Sequence, residues 1–438
     1  MSRNGTERRA IAAPGAIPLI GHTLSMIRDP LAFMTSLGEH GDLVRIRFGP
    51  WQVWVVCDPE LLQDVLARDA IFDKGGMFYD KARDILGNGL ATCPHSEHRR
   101  QRRLLQPAFQ RSRMPSYAAE ITEQITRFLA DWDCGQIVDV PAWTYGLICN
   151  AVTRTLFKAE SATTAARIMS DNVDDLLKGA YRQMVLPFLA KLPTPGNRRY
   201  RNAESAIRNA LSRTISDYRD EGKDYGDLLS LLLAAQDDDG GVLSDSEVLD
   251  QVFTMLFAGI ETTVTTLTWA MYFLSRDQQI QREVHEEAAV VLGERTATWA
   301  DLPALPLTES VIHETLRLYP AAWFLSRKLT ADTDLGGYRL TAGSTLAFSA
   351  YAIHRTFPDP ETFAPGRWQS QVDRHSYVPF GSGARKCIGD IFAITEATLT
   401  IASICARWRL RPTTSDPASP VPRIIMAPKA LRLELDRW

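Results

Sequence analysis

The sequence predicts a mainly α protein with a few short β-rich stretches, and three observations carry that reading. From about residue 95 onward the pattern of apolar positions is mostly helical. The stretch Val252 to Leu274 is apolar on nearly every face, as a helix buried in a large core would be. Extended runs are confined to residues 44–56, to Gly337–Phe348 and to the C-terminal end.

Taken in order, residues 1–13 read as a flexible tail and 14–438 as a single domain, because no convincing linker follows. Ile11 to Ile20 is interrupted by Pro14, Gly15 and Pro18, too short and broken for a membrane anchor or a signal segment. Val44, Ile46 and Phe48 alternate with arginines, Gly49-Pro50 turns the chain, and Gln52–Val56 returns, which predicts a hairpin. Asp58-Pro59 supplies an N-cap and a first-turn proline for a helix through Arg68. Asp237–Gly241 is a polar turn; it resembles the start of a calcium loop but lacks the closing glutamate. Ser244-Asp-Ser-Glu247 is a capping box that opens the most informative helix. Inside it, Glu261 and six threonines fall between residues 252 and 274, which argues against a membrane span. Five of the six threonines and the lone carboxylate fall close together, two departures from helix rules in one stretch, and functional sites are where that happens. Arg411–Pro422 reads as loop, followed by a short terminal strand pair. No internal repeat is present.

The 438 residues are 45% hydrophobic and 23% charged, with a net charge of −3, so nothing suggests a nucleic-acid footprint. Six cysteines (57, 93, 134, 149, 387, 405) are scattered without a C-x-x-C pair. That argues against a zinc cluster or disulfide framework and suits a reducing cytoplasm.

One cysteine has unusual surroundings. Phe380-Gly-Ser-Gly-Ala-Arg-Lys-Cys-Ile-Gly389 places Cys387 beside Arg385 and Lys386, just before a helix that the apolar spacing of Ile391, Ile394, Leu399 and Ile401 predicts. Neighbouring cations and a helix N-terminus both favour the thiolate, the form that ligates metal. Glycines 381, 383 and 389 let the backbone turn sharply and approach something flat and bulky. A thiolate held this way suits an axial ligand to haem iron.

This stretch resembles, position for position, the F-G-x-G-x-R-x-C-x-G signature of the cytochrome P450 monooxygenases. The resemblance covers the chain from about Pro14 onward, with five motifs in the family's order. Ala258-Gly-Ile-Glu261-Thr262-Thr263 is similar to the oxygen-activation segment. Small residues at Ala258 and Gly259 leave room for haem and dioxygen, while Glu261 relays protons and the Thr262 hydroxyl donates a hydrogen bond to the oxygen being reduced. Glu314-Thr-Leu-Arg317 is similar to the family's E-x-x-R, which implies a buried structural trio with Arg367 in Phe363-Ala-Pro-Gly-Arg367-Trp368. Gly366 departs from the usual glutamate there. His98-Arg-Arg-Gln-Arg102 is similar to the segment that meets the haem propionates, and the resemblance adds Arg327 and Arg385 as donors. Arg99, Arg100 and Arg103 are expected to face outward, toward a redox partner.

The resemblance therefore implies a mainly α fold, one prism-shaped helical domain with small sheets at one edge, holding haem b on Cys387. Phe380, Gly381 and Gly389 belong to the cofactor loop. The implied partners are a ferredoxin or flavodoxin with its reductase and a small hydrophobic substrate. Neither nucleic acid nor a membrane anchor is expected, and the location is cytoplasmic. Pocket walls aligned by motif offer Phe78, Tyr181, Phe188, Trp323, Phe324 and Met426. Pro30-Leu-Ala-Phe-Met34 leading to Gly41-Asp-Leu-Val-Arg45 resembles actinobacterial members that oxidise sesquiterpenes. The alternatives are a fatty-acid hydroxylase, with Arg182 or Lys81 pairing the carboxylate, or a haem-thiolate protein that does not oxygenate (dehydratase, isomerase or gas sensor).

Overall fold

A computed structural model describes residues 11–158, 161–185, 192–237, 240–370 and 375–438. The protein is mainly helical with small sheets, and the chain divides into two compact units. The first gathers the residues up to Asp80 with His313–Cys387 and Ile424–Met426; the second holds Lys81–Ile312, Ile388–Arg423 and Ala427–Trp438.

The first unit is built on a six-stranded sheet. Its strands run in the spatial order Ile11–Ala12, Leu43–Phe48, Trp51–Val56, Thr345–Ser349, Phe324–Leu329 and Phe72–Asp73. The hairpin expected over residues 44–56 is present, with Val44 opposite Val55 and Ile46 opposite Val53. Alternation decides its faces: Val44, Ile46, Val53 and Val55 are buried with Met34 and Leu37 on one side of the sheet, while Leu43 and Val56 join Phe72 and Phe348 on the other. Part of the expected N-terminal tail is sheet: Ile11 and Ala12 pair in parallel with Val44 and Arg45, and residues 1–10 lie outside the described residues. Asp58 caps the helix Pro59–Ala67 by accepting from the Leu61 amide at 2.8 Å.

The strand Phe324–Leu329 was not expected, because Ser326-Arg-Lys328 breaks any apolar alternation. It forms by pairing with two partners, Thr345–Ser349 and Phe72–Asp73, and so satisfies its backbone on both sides.

In the second unit the helix Asp245–Arg276 is 32 residues long and opens with the capping box: the Glu247 amide donates to Ser244 Oγ, and the Ser244 amide donates to Glu247 Oε2. The helices Val140–Leu156, Pro195–Glu221 and Asp390–Cys405 pack around it. Its threonines are tolerated because their hydroxyls bond back to carbonyls one turn earlier, Thr266 to Thr262 O at 2.8 Å and Thr268 to Val264 O at 2.7 Å. Among the described residues no helix is long and apolar enough to cross a membrane.

Two expectations at the C-terminus are corrected. Arg411 and Pro412 end a strand, Trp408–Pro412, and the final strand, Arg432–Arg437, pairs with that strand and with Ile137–Asp139 rather than with its immediate predecessor. Burial gives the reason: Leu410, Leu433 and Leu435 are fully buried, so the strand partners are chosen by a shared apolar face.

Candidate functional site

The cysteine loop belongs to the first unit. The Cys387 amide donates to the Phe380 carbonyl at 2.8 Å and the Lys386 amide to the Gly383 carbonyl at 3.1 Å, so the loop closes on itself and fixes the thiol position. Gly383 is required twice over. Its φ is +66°, and a Cβ there would lie 2.3 Å from the Leu66 carbonyl oxygen. Cys387 is exposed, two residues before Gly389, which caps the helix Asp390–Cys405. Three other cysteines differ in kind. Burial pushes the thiols of Cys57 and Cys405 up to about 12 and that of Cys149 up to about 11, so they stay protonated.

Arg385 is buried and holds two carboxylates, Asp69 at 3.1 Å and Asp73 at 2.9 Å, an engagement the sequence did not reveal. Arg327 is also buried; its guanidinium donates to the Tyr79 hydroxyl at 3.3 Å and the Ser326 carbonyl at 2.8 Å.

Beneath the loop lies a closed ionic network. Glu314 and Arg317 are completely buried and joined by parallel bonds of 2.9 Å, and Arg367 reaches the same carboxylate at 3.0 Å. The Ala364 amide and the Trp368 indole also donate to Glu314, each at 2.9 Å. Two further donors of Arg317 reach the carbonyls of Pro360 and Thr362. A buried pair is tolerable when every lone pair and proton is met in this way. The space at Gly366 is open, so its departure from the family pattern leaves the network intact.

Sequence reasoning missed His354. It is fully buried, its Nδ1 bonds the Arg317 carbonyl at 2.9 Å, and its Nε2 accepts from the Val378 amide at 3.0 Å. The imidazole therefore ties the ionic network to the chain leading into the cysteine loop. Burial holds it neutral, with its pKa lowered to about 3. A lone histidine next to Arg355 gave no signal in the sequence.

In the second unit the central helix is buried along most of its length, yet Met255, Ala258, Gly259, Glu261 and Thr262 are only partly covered or exposed. Four of the five lie three or four residues apart and line one face. A Cβ on Gly259 would make only ordinary contact with Val152, at 3.7 Å, so protein packing does not dictate its small size. The Thr262 hydroxyl donates to the Ala258 carbonyl at 2.6 Å. Its single proton is spent there, so Thr262 offers lone pairs rather than the hydrogen bond expected from the sequence.

The arginine-rich segment is the helix His95–Leu105, with His98 buried and Arg102 half-buried one turn apart. A chain of amides fixes it to the central helix: Gln251 donates to Gln101 at 2.9 Å and accepts from the Leu90 amide at 2.9 Å. Arg100, expected to face outward, is only partly exposed and is engaged within the chain, bonding Asp237 at 3.0 Å and Glu247 at 2.7 Å. Arg99 and Arg103 are exposed.

Of the candidate pocket residues, Trp323 and Met426 are buried in the core of the first unit, with Phe324 packed against them. The side chains of Phe78 and Tyr181, and all of Phe188, lie outside the described residues.

In the first unit, an accessible thiol on a closed loop beside buried guanidiniums is the donor set that a haem-thiolate centre needs. Comparison with known proteins agrees. A family model described as Cytochrome P450 matches residues 12–435. The pentalenene oxygenase of Streptomyces avermitilis is 45% identical over 97% of this chain and 96% of its own length. Two proteins of Streptomyces melanosporofaciens are also similar. Cyclooctatin synthase is 44% identical over 97% of this chain and 95% of its own, and cyclooctat-9-en-7-ol 5-monooxygenase is 42% identical over 91% and 89%.

Proposed function

This chain belongs to the cytochrome P450 family, and we propose that it inserts one oxygen atom from dioxygen into a cyclic terpenoid, a cyclic sesquiterpene hydrocarbon in the narrower reading. The observation that carries the chemistry is Cys387, whose thiol is exposed and whose backbone amide is held by the Phe380 carbonyl, while burial keeps Cys57, Cys149 and Cys405 protonated. Haem b, held by the Cys387 thiolate, supplies the redox chemistry that activates dioxygen. His98, Arg102, Arg327 and Arg385 are the candidates to meet its propionates, while Phe380, Gly381 and Gly389 shape the loop. Glu314, Arg317, Arg367 and His354 keep that loop in place.

On the central helix, Ala258 and Gly259 keep the exposed face low. Thr262 Oγ1, with its proton committed to Ala258 O, accepts a hydrogen bond and so holds a water in place. Glu261, the neighbouring carboxyl, passes protons to that water from solvent. Electrons come from an acidic ferredoxin or flavodoxin in the cytoplasm, for which the exposed Arg99, Arg103 and Lys386 offer opposite charge.

The substrate class rests on the relatives' names. The fatty-acid alternative loses support at Lys81, which is paired with Asp84 at 2.7 Å.

Reduced holoprotein with carbon monoxide should show the strongly red-shifted Soret band of a thiolate-ligated haem; retention of that band in Cys387→Ala would overturn the ligand assignment. A titration with cyclic sesquiterpene hydrocarbons, cyclic diterpenes and medium-chain fatty acids tests the substrate. Spectral shifts with fatty acids alone, abolished by Arg182→Ala, would refute the terpenoid reading.

A further inference from the structure

The turn that follows the helix Pro59–Ala67 grips the cysteine loop at two points, both within the first unit. At the first, Gly383 lies so close to the Leu66 carbonyl that no side chain fits between them. At the second, Arg385 enters between two carboxylates. Its Nε donates to Asp69 Oδ2 at 3.1 Å and its Nη2 to Asp73 Oδ1 at 2.9 Å. All three side chains are withdrawn from water, with 2% of Arg385, 12% of Asp69 and 14% of Asp73 exposed.

The backbone that carries the two acids is itself fixed. The Ile71 and Phe72 amides both donate to the Arg68 carbonyl, at 3.0 and 2.9 Å, which closes the turn between Asp69 and Asp73. The strand Phe72–Asp73 then pairs with Phe324–Leu329, and Phe72 is fully buried. Cations on the neighbouring elements have engagements of their own. Arg68 bonds Asp64 and Thr333, Arg327 donates to the Tyr79 hydroxyl, and Lys328, opposite Asp73 in the sheet, is exposed. One carboxylate would match the Arg385 guanidinium; the second adds a negative charge that Arg385 does not offset. On sequence alone Arg385 reads as a cation beside Cys387, whereas the triad it forms carries one negative charge in excess.

The sign of that charge matters because of where the triad stands. Arg385 is two residues from Cys387, and buried charges are screened far less than exposed ones. An iron centre carries one more positive charge when oxidised than when reduced, so a fixed negative charge nearby favours the oxidised form. We propose that Asp69 and Asp73 are positioning residues that fix Arg385 and, through the charge they add, lower the reduction potential of haem held by Cys387. The inference rests on that ligation.

A spectroelectrochemical titration of the holoenzyme without substrate, under argon, reads the potential. Asp69→Asn and Asp73→Asn each remove one charge and leave Arg385 one carboxylate, so both variants should fold and load. Each should shift the ferric–ferrous equilibrium several-fold toward ferrous, at a potential more positive than that of the wild type. Asp73→Glu keeps the charge and should keep the wild-type potential. So should Asp64→Asn, which neutralises an acid outside the triad whose side chain is 43% exposed. Wild-type potentials in both asparagine variants, or a shift in Asp73→Glu as large as in Asp73→Asn, overturn the proposal. The carbon monoxide band separates it from the reading beneath. Retention of the red-shifted band in Cys387→Ala refutes the ligation itself. Loss of the band there, with potentials unchanged in the asparagine variants, refutes only the role of Asp69 and Asp73.

Discussion

Acidification should destabilise the fold through His354. The imidazole is fully buried, its Nδ1–H donates to the Arg317 carbonyl, and its Nε2 accepts from the Val378 amide. Both nitrogens are thus satisfied in the neutral form, and a second proton would displace the Val378 bond while adding charge beside Arg317 and Arg355. The native pKa, lowered to about 3, lies well below the ordinary 6.5. Between those values the unfolded chain binds a proton that the native state refuses. The stabilisation is therefore complete above pH 6.5 and is lost progressively as pH falls toward 3. Each pH unit in that window costs about 1.4 kcal/mol, so a fall from pH 6.5 to 5 removes about 2 kcal/mol. That is a sizeable part of the roughly 5–15 kcal/mol that holds most domains folded. Urea unfolding at pH 7, 6 and 5 measures it, in the wild type and in His354→Gln. The variant starts less stable, having lost part of the network, but its stability should fall less steeply with acid. Parallel pH slopes in the two proteins would refute the argument.

Three further outcomes are expected. Arg317→Ala strands the buried Glu314 carboxylate and should cost about 3–5 kcal/mol; a variant that unfolds at the wild-type urea midpoint would show that the network does not support the fold. Gly383→Ala forces a Cβ against the Leu66 carbonyl at positive φ, so both the melting temperature and the carbon monoxide band should fall, and an unchanged pair of values would mean the loop tolerates the side chain. Reduction by an acidic electron carrier should slow with added salt and on neutralising the exposed Arg99, whereas neutralising Arg100, tied to Asp237 and Glu247, should change it little. Rates independent of ionic strength would remove the docking face.

What the sequence disclosed was local in character. The hairpin over residues 44–56, the Asp58 cap and the Ser244 capping box each depend on residues a few positions apart, and each forms as read. The cysteine loop was legible for the same reason, since its glycines and its cations are contiguous with Cys387. The misses were set by partners far along the chain. Arg100 looked solvent-facing because Asp237 is 137 residues away. The strand Phe324–Leu329 has no alternation of its own and is defined by its neighbours. The orientation of the Thr262 hydroxyl depends on a rotamer choice, which no pattern encodes.

The six-stranded sheet also imposes an order on synthesis. The strand Trp51–Val56 pairs in parallel with Thr345–Ser349, so Val53 meets a partner that leaves the ribosome about 290 residues later. At about 5–20 residues per second the early hairpin waits on the order of 15–60 s with that edge unpaired. During the wait the second unit's own chain, from Lys81 to Ile312, emerges and can collapse on its local helical contacts. The first unit, although it contains the start of the chain, therefore stays open until His313–Cys387 has emerged. Until then its apolar strands, Trp51–Val56 above all, are open to pairing with a neighbouring nascent chain.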